Sequence, residues 1–543
     1  MSSVRSCKLL LVVVLAGMLP AVSGCAGAPR HHESMIADLV AQADAVPAPR
    51  LDWAPCGRPE LSGLQCATAV VPVDYSRPTG ATLDLAVVRQ QAADAQRRIG
   101  TVFAAAAGPG GSGLRWAAGG GELLGGEIAR RFDVVTFDRR GMGRSGPVRC
   151  FADADQQRQF WTTVPLPPVN TRQERAAADA SRALAAGCAA HSGALLGHVT
   201  TVDAARDLDL LRRAFGESQL TFVGDSDASY LGQVYGALFG DRVRALHLRS
   251  MTDPDAHTTD TRRAIETTAR ATEEALDEFL RLCAQAGRPR CAFAATDAQY
   301  VADLQTPGVE ADPAVDLRVR NDAVLRRLQQ APIAVGTQER TRTVTYSEAL
   351  STHLRLLSDA QEGWPALAEL LAELERGPAG NPDVVDEILA ATTQSLDFLD
   401  SFIAISCADN TFPRDPDQWP SLAGDLAAVG PTYGPLWLYV RHACASWPSP
   451  AEGYPQRYSG PWILRSDTPA LLVNNQFDPV APVVAARRAQ HELVNVRLVV
   501  VEGGYGHTVL DDCTRKLRER YLIDLHLPAP GATCDADAQP FER

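Results

Sequence analysis

Lysine is almost missing from this chain. Lys8 and Lys516 stand against fifty arginines in 543 residues, and no basic run interrupts a net charge of −13. Nucleic-acid binding needs clustered cations to neutralise phosphates, so this composition argues against a nucleic-acid partner. Beyond the N-terminus there is no apolar run near the roughly 20 residues that span a bilayer. No Cys-x2-Cys or His-x3-His spacing is present, so no metal site is expected. Internal repeats and low-complexity tracts are absent as well, and 45% hydrophobic residues supply a buried core. What remains is an acidic folded body, long enough for a catalytic core carrying a large insertion.

The N-terminus carries a targeting pattern. Arg5 and Lys8 flank the start of the apolar run Leu9 to Leu19, which ends in Val22-Ser23-Gly24-Cys25. That ending resembles the bacterial lipobox, in which the cysteine is lipid-modified and becomes the new N-terminus. Residues 1–24 are expected as a lipoprotein signal peptide, Cys25 as the lipidation site and residues 25–50 as a flexible tether rich in Ala and Pro. Ordinary signal cleavage near Ala21 to Gly24 is the plainer alternative. The lipid-anchored reading places the body outside the cell, in the envelope. It would be held at the outer face of the bacterial plasma membrane by its N-terminal lipid only. Cysteine usage agrees. Setting aside Cys7 and Cys25 leaves Cys56, Cys66, Cys150, Cys188, Cys283, Cys291, Cys407, Cys444, Cys513 and Cys534. An even number in an exported chain reads as disulfides. Connectivity stays open, with pairing of sequence neighbours the economical expectation.

Along the body, strand-like and helical patterns alternate. Ala69 to Tyr75, Leu83 to Arg89, Ile99 to Ala107, Phe132 to Asp138, Leu220 to Val223 and Val243 to Leu248 read as strands. Helical spacing runs from Asp203 to Phe215 and from Tyr230 to Phe239. This alternation predicts an α/β fold with a mostly parallel sheet covered on both faces. From 252 to 460 the pattern turns helical, as in Thr258–Ala286 and Pro365–Arg376, and reads as a cap. Alternation returns with strands at Pro469 to Asn474 and Val496 to Val501 around a helix at Val483–Leu493. The expected layout is a core at 51–251, a helical cap at 252–460 and the rest of the core at 461–543.

Three residues carry the chemistry. A serine hydroxyl is a weak nucleophile until a base takes its proton and a carboxylate orients that base. Gly224-Asp225-Ser226-Asp227-Ala228 sits between an apolar strand and a helix, where a Gly-x-Ser-x-Gly elbow belongs, with alanine in place of the last glycine. Asp478 follows the strand ending at Asn474, and His507 follows the strand ending at Val501. Both lie past strand carboxyl ends, where open α/β sheets bind ligands. Ser226, Asp478 and His507 are therefore the expected nucleophile, acid and base. Gly108, in the loop Gly108-Pro109-Gly110-Gly111-Ser112-Gly113, and Asp227 are the expected backbone donors of an oxyanion hole.

Taken together, these motifs resemble those of the secreted tripeptidyl aminopeptidases and related mycobacterial-type serine hydrolases. The likeness spans most of 51–535. It rests on the Gly108–Gly113 loop, on Phe137-Asp138-x-Arg140-Gly141-x-Gly143-Arg144-Ser145 and on Ala205-Arg206-Asp207-Leu208-Asp209-Leu210-Leu211. It continues in Cys444-Ala445-x-Trp447-Pro448, Phe477-Asp478-Pro479-Val480 and Gly504-Tyr505-Gly506-His507. The resemblance implies an α/β-hydrolase core under a helical cap, compatible with neighbour-paired disulfides. It also implies a serine hydrolase that releases short peptides from N-termini through an acyl-enzyme. An esterase with the same triad is one alternative, and a weak or inactive relative acting as a surface binding protein is another. A peptide or ester substrate is the implied partner, and the chemistry needs no cofactor.

The departures from that pattern gather at the site. Ala105-Ala106-Ala107 replaces Asn-Pro-Gly, Asp227-Ala228 replaces Tyr-Gly, and Leu248-Arg249-Ser250 replaces Leu-Asp-Gly. Ala481 stands where the familiar Asp-Pro-Val-Thr-Pro has threonine. Asp225 and Asp227 set two carboxylates beside the nucleophile, where negative charge opposes an oxyanion. Alternatively Asp227, with Asp409, captures the ammonium of a substrate N-terminus.

Overall fold

The computed structural model describes residues 27–119, 123–288, 290–294, 313–448 and 453–542. The signal segment and Cys25 lie outside them. Ten strands make one sheet: β1 (Ala54–Pro55), β2 (Gln65–Pro72), β3 (Thr82–Gln90), β4 (Gly100–Ala105), β5 (Phe132–Phe137), β6 (Leu220–Asp225), β7 (Val243–Arg249), β10 (Ala470–Phe477), β11 (Val496–Tyr505) and β12 (Thr533–Asp535). Two more, β8 (Ile333–Thr337) and β9 (Arg340–Val344), form a separate hairpin. The large sheet is ordered β1-β2-β3-β5-β4-β6-β7-β10-β11-β12. Its first three strands are antiparallel, and every pairing from β5 to β12 is parallel. Every residue of β4 and β5 is buried, which is why both read as continuous apolar runs.

Seven helices of the core half need labels: α1 (Gly27–Asp44), α2 (Gly113–Ala118), α3 (Gly126–Arg131), α4 (Ala154–Thr163), α5 (Thr171–Ser192), α6 (Thr201–Ala214) and α7 (Asp227–Leu238). One face of the sheet packs under α2, α3 and the helix Asp512–Asp524, joining Leu114, Ile128 and Tyr521 to Val102 and Val473. The other packs under α6 and α7, joining Leu208 and Leu231 to Phe103 and Leu472.

The stretch expected as a flexible tether is instead a docked helix. On α1, Met35, Ile36, Leu39, Val40 and Ala43 recur at helical spacing and pack into the α6–α7 core. Arg213 donates to the carbonyls of Ala43 and Val46 at 2.8 and 2.9 Å, so the junction is tied by hydrogen bonds as well. Composition suggested a linker; periodicity decides the structure.

Helices from Pro254–Thr259 to Gly434–Tyr439 fill the chain between β7 and β10. The β8–β9 hairpin in their midst was not foreseen. The cap also recruits chain from outside the expected 252–460. Ala177, Leu184 and Cys188 share a buried core with Leu276, Leu371 and Trp437. Ser181 donates to the His442 carbonyl at 2.7 Å, and the Cys150 amide donates to Asp400 at 3.0 Å. The small residues of α5 let it lie close against the 442–446 segment, a contact that sequence adjacency conceals. All ten body cysteines are joined to their sequence neighbours: 56–66, 150–188, 283–291, 407–444 and 513–534. Among the described residues no single helix is long and apolar enough to cross a membrane.

Candidate active site

Ser226 stands at the turn from β6 into α7 with φ of 57°, a left-handed conformation that a non-glycine residue adopts under strain. Crowding dictates its neighbours. A Cβ on Gly224 would lie 2.3 Å from the Ala228 carbonyl oxygen, so that position needs glycine. Ala228, where the motif has its second glycine, fits fully buried.

Asp478 follows β10 and is buried. Its Oδ1 accepts the amides of Val480 and Ala481, both at 2.9 Å. His507 follows β11, and its Nδ1 lies 2.9 Å from each carboxylate oxygen of Asp478. The His507 amide donates to the carbonyl of Ser358, a cap residue, at 2.8 Å, so core and cap together hold the loop. No hydrogen bond engages the Ser226 hydroxyl among the described residues. Of the three residues expected as nucleophile, acid and base, the last two are therefore joined and the first is not hydrogen-bonded to them.

The glycine-rich loop approaches the elbow from β4. Asp138 organises it, accepting from Ser112 Oγ at 2.6 Å and from the Leu114 amide at 3.1 Å. Close packing requires glycine at 111, where a Cβ would stand 1.7 Å from the Ala107 carbonyl oxygen. The amides of Gly108 and Asp227 take no partner among the described residues. Free amides at these two positions leave open the expected role of oxyanion donors.

The carboxylates beside Ser226 are both neutralised. Asp227 forms a buried ion pair with Arg139, whose Nη2 also lies 3.3 Å from where a Cβ on Gly108 would stand. Asp225 is gripped by Arg249 through paired hydrogen bonds, one at 2.8 Å from Nε. Burial pushes the Asp225 carboxyl up, but Arg249 outweighs it and holds the group below its ordinary value. Arg249 also donates to the Thr508 carbonyl at 3.1 Å, tying the elbow to the histidine loop. Charge that would oppose an oxyanion is thus cancelled by two arginines that sequence reading did not connect. Arg139→Met is expected to lower kcat/KM about 10–100-fold by leaving Asp227 uncompensated, and adding Asp227→Asn should recover most of that loss. A loss that the second substitution leaves untouched would show that Arg139 acts through another contact.

Neither carboxylate named for ammonium capture is open to it. Asp227 is occupied by Arg139. Asp409 is buried at the end of the helix Leu396–Asp409, where it accepts from the Thr201 amide at 2.8 Å and from Thr201 Oγ1 at 2.7 Å. It caps the start of α6, with both carboxylate oxygens taken up by Thr201. Burial pushes its carboxyl up to about 7. Because the folded protein then holds this proton more tightly than the unfolded chain, the Asp409 contribution to stability falls as pH rises from about 4 to 7 and is flat above. Asp409→Asn keeps the Thr201 contacts, so it should raise the melting temperature more at pH 8 than at pH 5. Equal shifts at both pH values would refute this.

Comparison with known proteins agrees with this geometry. Residues 107–287 match the family model described as alpha/beta hydrolase fold, and 430–534 match the one described as TAP-like protein. Serine protease Hip1 of Mycobacterium tuberculosis is 29% identical over 511 residues, covering 89% of this chain and 91% of that protein. Tripeptidyl aminopeptidase of Streptomyces lividans is 27% identical over 534 residues, covering 94% and 92%. Carboxylesterase B of M. tuberculosis is 28% identical over 507 residues, covering 90% and 91%. With the elbow at Ser226 and the Asp478–His507 pair in place, the chain is a serine hydrolase of the α/β-hydrolase fold, similar over most of its length to the tripeptidyl aminopeptidases and their mycobacterial relatives.

Proposed function

We propose that this protein is an exported, lipid-anchored serine peptidase that releases short peptides from the N-termini of its substrates. Ser226 attacks the scissile carbonyl while His507 Nε2 takes its proton. Asp478 fixes the ring with Nδ1–H inward and stabilises the imidazolium that forms. The Gly108 and Asp227 amides receive the oxyanion. Collapse of the tetrahedral intermediate transfers the proton from His507 to the leaving amine and leaves an acyl-Ser226 ester. Water then repeats the sequence and frees the peptide.

The observation that carries this reading is the His507–Asp478 contact, both oxygens at 2.9 Å, placed beyond adjacent parallel strands on the sheet edge that presents Ser226. The likeness to Hip1 and to tripeptidyl aminopeptidase supports the peptidase reading. Similarity of equal depth to a carboxylesterase keeps ester hydrolysis as the second reading. The Cys25 lipid and the envelope location rest on the lipobox-like sequence and the five disulfides. A matched series decides the substrate class: a tripeptide amide with a free amine, its N-acetyl form and a simple aryl ester. Turnover lost on acetylation supports release from N-termini; ester turnover with no amide turnover would favour the esterase.

A further inference from the structure

A cavity of about 540 Å³ opens on the sheet face covered by α2, α3 and the helix Asp512–Asp524. Its wall meets the catalytic elements at three points: Ala107 precedes Gly108, Asp225 precedes Ser226, and Thr508 follows His507. The charges in the wall are unequal, with Arg249, Arg515 and Arg518 against Asp225. Arg249 and Asp225 neutralise each other, and Arg515 pairs with Asp512.

Arg518 has no such partner. It is 4% exposed, donates from Nη2 to the Leu124 carbonyl at 2.9 Å, and keeps a buried Nε with nothing to receive it. No carboxylate among the described residues forms an ion pair with it. Asp225 and Glu519 act on it only through space, without an ion-pair contact, and His247, two residues before Arg249 on β7, is buried with both ring nitrogens unpartnered. Burial, with Arg518 and Arg249 adding to it, holds that imidazole neutral. Burial likewise pulls the Arg518 guanidinium down to about 10, with Arg249 adding repulsion. A buried cation with no ion pair in contact and one N–H unpartnered is costly, and an anion entering the cavity would offset that cost.

We propose that this cavity is a subsite for a carboxylate-bearing group of the substrate, an acidic side chain next to the scissile bond, held by Arg518. The inference rests on Ser226 being the nucleophile. A planar guanidinium edge matches a carboxylate, and apolar wall at Leu124 and Leu510 suits the methylenes that carry it. A free inorganic anion would satisfy the charge yet leave that apolar wall unused. Arg518 would thus set specificity without taking part in bond making.

Two measurements test this. In wild type, kcat/KM for matched glutamate and glutamine peptides, varied on either side of the scissile bond, should favour glutamate about tenfold or more at one position. That preference should vanish in Arg518→Met and return in part in Arg518→Lys. Independently of turnover, Ser226→Ala protein should bind glutarate, read by a change in fluorescence that Trp116→Phe abolishes, since Trp116 lines the cavity. Glutarate binding without turnover by wild type would sustain the subsite while failing the nucleophile. Phosphate binding more tightly than glutarate would make this an inorganic-anion site and overturn the proposal. So would a glutamate preference that Arg518→Met leaves intact, or no preference and no glutarate binding.

Discussion

Replacing Asp478 with asparagine is expected to lower kcat about 10⁴-fold without unfolding the protein. The reason lies in how the carboxylate is held. Oδ1 already accepts the Val480 and Ala481 amides at 2.9 Å, so in the variant the amide oxygen must stay there. The amide nitrogen then takes the Oδ2 position, 2.9 Å from His507 Nδ1, and donates to it. That forces the tautomer with hydrogen on Nε2, which cannot accept the proton of Ser226. Near-native melting with turnover reduced by four orders of magnitude is the expected pair of results. A loss of less than tenfold would mean that another group orients His507.

Stability should depend strongly on a buried ion pair that takes no part in the proposed chemistry. Arg140 is fully buried, and all five of its N–H groups are engaged. Two reach Asp207 at 2.6 and 2.7 Å, two reach the Val73 and His198 carbonyls at 3.0 Å, and one reaches the Pro72 carbonyl at 3.1 Å. Tyr75 adds a hydroxyl to Asp207 at 2.8 Å. Arg140→Met leaves a buried, unpaired carboxylate with only the Tyr75 hydroxyl to donate to it and three carbonyls without the guanidinium donors, and should cost about 3–5 kcal/mol in unfolding free energy. The midpoint of a urea titration measures it. Adding Asp207→Leu should recover part of the loss, because the uncompensated charge goes with it. A single-variant loss below about 1 kcal/mol would show that the network stabilises little.

Arg140 and Asp207 belong to two of the motifs that carry the family resemblance, and their role here is to join the β2 end, the turn after β5 and α6. A motif marks constraint; only packing tells whether the constraint is chemical or structural. The positions of Ser226, Asp478 and His507 could be read because each follows a continuous apolar strand, and buried parallel strands leave that trace. The arginines flanking the nucleophile could not be connected in the same way. Arg139 and Asp227 are far apart in the chain and meet only in three dimensions. Arg249 left a usable signal: it and Asp225 end consecutive strands and are direct register partners across β6 and β7. Opposite charges at matching ends of neighbouring strands predict a pair. The α1 helix is legible too, in the spacing of Met35, Ile36, Leu39, Val40 and Ala43, although the Ala- and Pro-rich composition of the same stretch points to a linker. The burial of Asp409 leaves no local signal in the sequence, because its partner Thr201 lies far away in the chain, at the start of α6.

On the proposed mechanism Ser226 is an activated nucleophile despite the carboxylates on either side, because Arg139 and Arg249 cancel them. Labelling of the purified body, disulfides intact, by a fluorophosphonate probe tests this most directly. Stoichiometric labelling that disappears in Ser226→Ala is the predicted result. A folded protein that the probe does not label would contradict the account and leave the hydrolase fold serving as a binding surface.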